Sequence, residues 1–319
     1  MRHLRASGQS ALGVDIKPSQ FTDRVGSIID RGFAQEVTRG ATAVIHAAAL
    51  HKPHIATHTC QDFVDTNVTG TLNVLEAAAA ARIGTVVYTS TTSVFGATLT
   101  PELGGPAAWV TEELVPISKN IYGVTKLAAE GLCEMFARQQ RLPVIVLRTS
   151  RFFPEEDDDP MIRENFSITN TQANEMLYRR VDLEDVVRAH LMALDKARTI
   201  GFGRYIISAT TPFTRYDLPE LGRDAPAVIY RLFPDCEALF GARRWAPFPR
   251  IDRVYSNDLA RRQLGWRPTY DFRYMLDCLR ADKDFRSPLA REVGRKGYHD
   301  HAFEDGPYPV TPTGAASEA

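Results

Sequence analysis

Short apolar runs recur along the first two thirds of the chain, at Ala11 to Val14, Ala43 to His46, Thr85 to Thr89, Val144 to Leu147 and Tyr205 to Ser208. Helical patterns separate the earlier ones. Strand and helix in alternation predict a parallel sheet covered by helices on both faces. The stretch Asn73 to Arg82, with Leu72, Val74 and Leu75 followed by alanines, predicts a helix with a small-residue surface for close packing on such a sheet. A second helix opens at Asp182-Leu183-Glu184-Asp185, with Leu183, Val186, Val187, Leu191 and Leu194 at helical spacing. Asp182 is its expected cap, and Asp185 stabilises its first turn. A third runs from Asp258 through Gln263 and is stopped by Leu264-Gly265-Trp266-Arg267-Pro268.

The pattern also divides the chain. Residues 1–150 hold the regular alternation. The acidic run Glu155-Glu156-Asp157-Asp158-Asp159 marks the sharpest change of composition and reads as a solvated loop, opening a mixed region to about residue 286 that contributes to the sheet and to a smaller lobe. Residues 287–319 read as a polar C-terminal tail, extended from Pro307 to Ala319.

Composition narrows the partners. With 44% hydrophobic residues in 319, the chain can bury a full core, and a net charge of −1 gives no general attraction to nucleic acid or anionic membrane. A small-molecule substrate is expected. Cys60, Cys133, Cys236 and Cys278 lack metal-type spacing, and neither a signal peptide nor a membrane-spanning apolar run stands out, so reduced thiols in a cytoplasmic protein are expected. His46, His51, His54 and His58 are close in sequence, but Pro53 interrupts them and no cysteine or acid completes a set, so no metal is expected.

The chemistry concentrates in Tyr122-Gly123-Val124-Thr125-Lys126. On a helix, positions i and i+4 share a face, so an ammonium at Lys126 can favour the phenolate of Tyr122 and make a tyrosine usable as a base. About thirty residues upstream, the apolar run Val86-Val87-Tyr88 breaks into Thr89-Ser90-Thr91-Thr92-Ser93 and ends at Gly96. A buried strand does this when it delivers hydroxyl side chains to a site at its carboxyl end.

Together with His46-Ala47-Ala48-Ala49 after a strand and Asn67-Val68-Thr69-Gly70-Thr71 opening a helix, these features resemble the extended short-chain dehydrogenase/reductases. The resemblance is closest to their NAD-dependent epimerase/dehydratase family of sugar-nucleotide enzymes, and it covers roughly residues 1–270. It implies an α/β, Rossmann-like doubly wound parallel sheet with a smaller C-terminal substrate-binding lobe. It also implies that Tyr122 is the catalytic base and acid, that Lys126 binds the nicotinamide ribose and lowers the tyrosine pKa, and that Thr91 replaces the usual serine, with Ser90 and Thr92 flanking it. Asp15, Ser27, Ile28, Ala47, Ala48, Ala49 and Asn67 become cofactor-site residues. A carboxylate at Asp15 favours NAD over NADP, although Lys17 nearby could tolerate the extra phosphate. Thr92, Arg151, Arg179 and Arg180 are candidate substrate contacts, the arginines for a diphosphate.

The departures are equally informative. The family's first strand and glycine-rich loop should stand upstream of Arg2-His3-Leu4-Arg5-Ala6-Ser7-Gly8, which implies a longer protein or a loss of NAD binding, and two open strand edges in mid-sheet. Gly26-Ser27-Ile28 stands where relatives carry Gly-Asp-Ile. Thr92-Ser93 stands where 4,6-dehydratases carry Asp-Glu, which argues against that elimination. The leading expectation is epimerisation of a nucleotide sugar through a keto intermediate. A dehydrogenase or reductase of another hydroxy or keto substrate is the alternative, and a non-catalytic nucleotide-sensing or interaction protein is the alternative of another class. The helix of Tyr122, continuing through Leu127, Leu132, Met135 and Phe136, is the expected face of a homodimer or else core.

Overall fold

The computed structural model describes residues 1–102, 104–153, 157, 159–294, 299 and 303. Its centre is a parallel sheet built from β3 (Ala43–His46), β4 (Thr85–Thr91), β6 (Val144–Thr149) and β7 (Phe202–Ile207), in the order β3-β4-β6-β7. Two shorter strands precede it, β1 (Val14–Asp15) and β2 (Arg24–Val25). Two more, β5 (Ala108–Val110) and β8 (Arg253–Tyr255), pair with each other in the lobe.

β4 and β6 are buried almost throughout because helices cover both faces of the sheet. The strand period of two separates their side chains. Val86, Tyr88, Val144 and Val146 pack with Leu75, Ala129, Cys133 and Phe136 on one face, whereas Val87, Ile145 and Leu147 pack with Val186, Ala189, Ala193 and Trp266 on the other. Burying a Val, Leu or Ile side chain contributes about 1.5–3 kcal/mol, so these two layers supply the main support for the strand ends. The lobe has its own core around Val228, Phe233, Phe240, Phe272 and Leu276.

The helices start and stop near their sequence signals. The alanine-rich helix is Gly70–Ala80, entered through a π-helical turn at Val64–Thr69. Asp182 caps the helix Leu183–Ile200 by accepting from Glu184 N at 2.8 Å, and it also accepts from Ser287 N at 3.1 Å. Asp185 does more than steady the first turn: fully buried, it accepts from Thr269 N and Tyr270 N, each at 2.9 Å, and so anchors the segment after the Asp258–Gln263 helix.

Other expectations are revised. The first predicted strand is shifted and short, and β1 pairs only with β2 among the described residues, while the edge of β3 away from β4 carries no strand. Leu12, Val25 and Ile45 are exposed. The acidic run is not simply a solvated loop. Asp157 is buried against arginines and Asp159 caps the helix Pro160–Asn165, whereas Glu155, Glu156 and Asp158 lie outside the described residues, as does the tail segment from Pro307 to Ala319. On the Tyr122 helix, Phe136 is core and Met135 is exposed. Among the described residues no helix is long and apolar enough to cross a membrane, and no group of three or more His, Cys, Asp or Glu is arranged to hold a metal ion.

Candidate active site

The site lies at the carboxyl end of the parallel strands, where β4 meets the helix Ile121–Gln140. That helix starts where Asn120 turns extended and its side chain accepts from Gly123 N at 3.0 Å. Gly123 sets the approach, because a Cβ there would lie 3.0 Å from the backbone oxygen of Ser93. A larger residue would lift the helix off the Thr92–Phe95 turn. Gly96 ends that turn with φ of +51°, and a Cβ there would lie 2.1 Å from Ile117 O, so only glycine fits.

Tyr122 and Lys126 are both buried on the helix face toward β4. Ser90, like Tyr88, points toward this helix and donates to Glu130 at 2.6 Å, whereas Thr91, the last residue of β4, hydrogen bonds through its hydroxyl with the Tyr122 phenol and also accepts from Ser93 N at 3.1 Å. Thr92 is buried in the turn beside it.

The electrostatics differ from the expectation for the tyrosine. Burial pushes Tyr122 up to about 12, a rise that the hydrogen bond from Thr91 only moderates. Lys126 does not offset this. Its Nζ donates to Thr89 O at 2.6 Å and sits 4.1 Å from the centre of the Tyr88 ring, and burial brings the ammonium down to about 7 against the pull of Glu130. The i, i+4 geometry is present, but the lysine charge is directed at the strand and at Tyr88.

Asn67 holds the opposite wall. Its side chain accepts from Leu50 N at 2.8 Å and donates to Leu50 O and Thr125 Oγ1, each at 3.0 Å, tying the loop after β3 to the Tyr122 helix. His46 is buried at the end of β3 and donates to Thr71 Oγ1 at 2.9 Å, since Thr71 in turn donates to Asn67 O. The tied loop brings His51 Nδ1 to 3.5 Å from Tyr122 Oη, a contact that sequence reading missed.

The residues expected to hold a dinucleotide lie around the same strand ends. Ala47 and Ala48 are exposed and Ala49 half-buried, leaving backbone accessible beyond β3. Asp15 is exposed at the end of β1, where its carboxylate accepts from Lys17 N at 3.0 Å and keeps further lone pairs for ribose hydroxyls. Ser27 and Ile28 are half-buried. Asn73 fixes their loop by donating to Ile28 O at 3.0 Å and Ile29 O at 2.9 Å, and Ile28 packs on Gly70. This donor set fits the adenosine and nicotinamide ends of NAD.

The three candidate diphosphate arginines are paired with acids. Arg151 and Arg179 each donate to Asp157 at 2.7 Å, and they approach Glu175 at 3.2 and 2.9 Å. Arg180 is buried against Glu175 at 2.7 Å and donates to Phe153 O at 3.0 Å. Burial alone would raise Glu175, but the three guanidiniums outweigh it and hold the carboxyl at about 2. These charges brace the junction between β6 and the segment before the Leu183–Ile200 helix.

A second buried ion pair also went unrecognised in the sequence. Arg148 on β6 grips Glu130 with Nε at 3.0 Å and Nη2 at 2.7 Å, its guanidinium carbon 4.9 Å from the Phe95 ring centre. Glu130 stands one further i+4 step beyond Lys126, so the spacing Tyr122, Lys126, Glu130 was the available signal.

Comparison with known proteins agrees with this geometry. The model of the NAD dependent epimerase/dehydratase family matches residues 1–207. GDP-6-deoxy-D-mannose reductase of Pseudomonas aeruginosa is 29% identical over 258 residues, covering 76% of this chain and 81% of that protein. A dTDP-glucose 4,6-dehydratase of Streptomyces niveus is 32% identical over 139 residues, which are 43% of this chain and only 39% of the dehydratase. Among solved structures, a short-chain dehydrogenase/reductase superfamily protein from Agrobacterium tumefaciens with bound NAD aligns with a TM-score of 0.59 at 24% identity, covering 91% of this chain and 94% of that one. The UDP-N-acetylglucosamine 4-epimerase of Bacillus cereus aligns with a TM-score of 0.58 at 19% identity, over 85% and 88% of the two chains. At these identities the structural likeness is one of fold.

Proposed function

Because the chain belongs to the NAD dependent epimerase/dehydratase family, we propose that it is an NAD-dependent oxidoreductase acting on a secondary alcohol of a nucleotide sugar, and that it epimerises that carbon through a keto intermediate. The observation that carries this reading is the meeting of Thr91, Tyr122 and Lys126 at the carboxyl end of β4, with the Thr91 hydroxyl bonded to the phenol. NAD, when bound, takes up the carbinol hydride. Tyr122 Oη removes the hydroxyl proton, and Thr91 donates a hydrogen bond to the oxygen as it becomes a ketone. Lys126 would secure the nicotinamide ribose, and the backbone at Ala47 to Ala49 would border the cofactor. Asp15 takes the adenosine ribose hydroxyls, so NAD is preferred to NADP.

Return of the hydride to the other face of the ketone gives epimerisation with no net redox change, and escape of the ketone gives a dehydrogenase. The reductase or dehydrogenase reading has one specific support: a relative matched over 258 residues is a GDP-6-deoxy-D-mannose reductase. With Thr92 and Ser93 after Thr91, the strand end lacks an acid and base for water elimination. The test is to incubate the chain with NAD and a panel of UDP-, dTDP- and GDP-hexoses and to follow the sugar ring by NMR. Inversion at one carbon without accumulation of NADH supports the epimerase. A ketone with stoichiometric NADH supports the dehydrogenase, and a sugar left unchanged under NAD saturation refutes both.

A further inference from the structure

Tyr122 is buried deeply enough to resist ionisation, and Lys126 is turned toward Thr89 O, so the phenol needs another group to exchange its proton with. The loop after β3 supplies one. Asn67 pins Leu50 at both its N–H and its C=O, and the next residue, His51, faces the phenol with Nδ1 3.5 Å from Oη and ring centres 5.8 Å apart. His51 N donates to His54 Nδ1 at 2.8 Å, which fixes the His54 ring, and the His54 ring lies 5.3 Å from that of His58. Exposure increases along the series: Tyr122 is buried, His51 and His54 are half-buried, and His58 is exposed, with its Nδ1 3.0 Å from Thr57 Oγ1. A line of imidazoles therefore leads from the base to the surface.

We propose that His51 is a further catalytic residue, the proton acceptor and donor for Tyr122, and that it connects the buried phenol to solvent along the His54 and His58 side of the loop. The assignment rests on the reading of Tyr122 as the acid and base of the site. In the oxidising direction the substrate hydroxyl proton moves to Tyr122 Oη as the phenolic proton moves to His51 Nδ1, while the carbinol hydride goes to the nicotinamide. One O–H bond of the alcohol breaks, one N–H bond forms on the imidazole, and the imidazolium then releases a proton to water. Reduction runs the same transfers backward. Epimerisation can return its proton within the site, but net oxidation or reduction must export or import one proton per turnover. Such a path therefore serves the dehydrogenase or reductase outcome most directly.

Among the charged and titratable groups around this pair, Tyr88 from β4 interacts with Tyr122, Lys126 from the Tyr122 helix acts on His46 at the end of β3, and the His54 ring centre lies 6.1 Å from that of His51 and 6.0 Å from that of His299. Thr91 supplies the other hydrogen bond to the phenol.

The first test needs no substrate. Histidine ring titrations by NMR are compared in the chain and in Tyr122→Phe, with His51→Gln identifying the resonance. A phenol donating to Nδ1 favours the neutral ring, so the His51 midpoint rises in Tyr122→Phe by about half a pH unit or more and its Nδ1 signal shifts. An unchanged midpoint and nitrogen shift overturn the proposal. The second test is kinetic and uses whichever nucleotide hexose is turned over with NAD. His51→Ala lowers kcat by about tenfold to a hundredfold and added imidazole restores part of it. Loss of kcat that imidazole does not restore, in a folded variant, makes His51 a structural residue and overturns the role. Should no hexose react, the titration still decides the contact, so failure of the functional reading is distinguishable from failure of this one.

Discussion

Replacing Arg148 with methionine tests whether the buried ion pair holds the Tyr122 helix against the sheet. The side chains are 4% and 0% exposed, so the Glu130 carboxylate has protein groups in place of water as its partners. The substitution deletes contacts at 3.0 and 2.7 Å and keeps two others, the Ser90 hydroxyl at 2.6 Å and Arg204 Nε at 3.3 Å. Breaking a buried pair by removing one partner costs about 3–5 kcal/mol, and the surviving contacts place this case near the lower end, about 3 kcal/mol. At about 2–4 °C per kcal/mol, the unfolding midpoint should fall by about 6–12 °C. Calorimetry and urea titration measure the loss. In the double variant Arg148→Met with Glu130→Leu no buried charge is left unpaired, and stability should return to within about 1.5 kcal/mol of the original. A single variant that loses less than 1 kcal/mol, or a double variant no more stable than the single, would refute the reasoning.

Three further outcomes follow from the same geometry. His46 is held neutral, its pKa brought down to about 3 by burial first and the Lys126 charge second, whereas the unfolded ring titrates near 6.5. The unfolded chain binds the extra proton between those values, so stability present above about 6.5 drains away as pH falls toward 3, and His46→Asn should flatten that slope in acid denaturation. Asn67→Ala removes three hydrogen bonds and leaves Leu50 N–H without its acceptor, costing about 2–3 kcal/mol by chemical denaturation, and it should also move His51 away from Tyr122. Asp15→Asn removes the carboxylate that repels a 2′-phosphate, so the preference for NAD over NADP in cofactor titrations should narrow by about tenfold.

The parts legible in the sequence are those in which local spacing alone decides geometry. Tyr122 and Lys126 share a face because a helix places them there. That follows from the chain within a few residues, as does the cap at Asp182, whereas strand alternation turns Ser90 to the helix and Thr91 reaches the phenol only where β4 ends. Contacts between distant segments could not be read in this way. Arg151, Arg179 and Arg180 read as candidate ligands for phosphate, and folding also pairs Arg151 with Glu175 and Arg179 with Asp157, partners more than twenty residues away. The direction taken by Lys126 was hidden for a related reason: the competing acceptor, Thr89 O, belongs to β4. His51 was grouped with its sequence neighbours as a loop or metal feature, and only the Asn67 clamp turns it toward the phenol.

The most direct test of the central claim is single-turnover nicotinamide absorbance, recorded with the chain and with Tyr122→Phe after mixing NAD with a nucleotide hexose. Transient or lasting NADH from the chain, reduced at least a hundredfold in Tyr122→Phe with cofactor binding unchanged, is the predicted result. Equal NADH formation by the two proteins, or full NAD occupancy with no hydride transfer from any nucleotide hexose, would contradict the account.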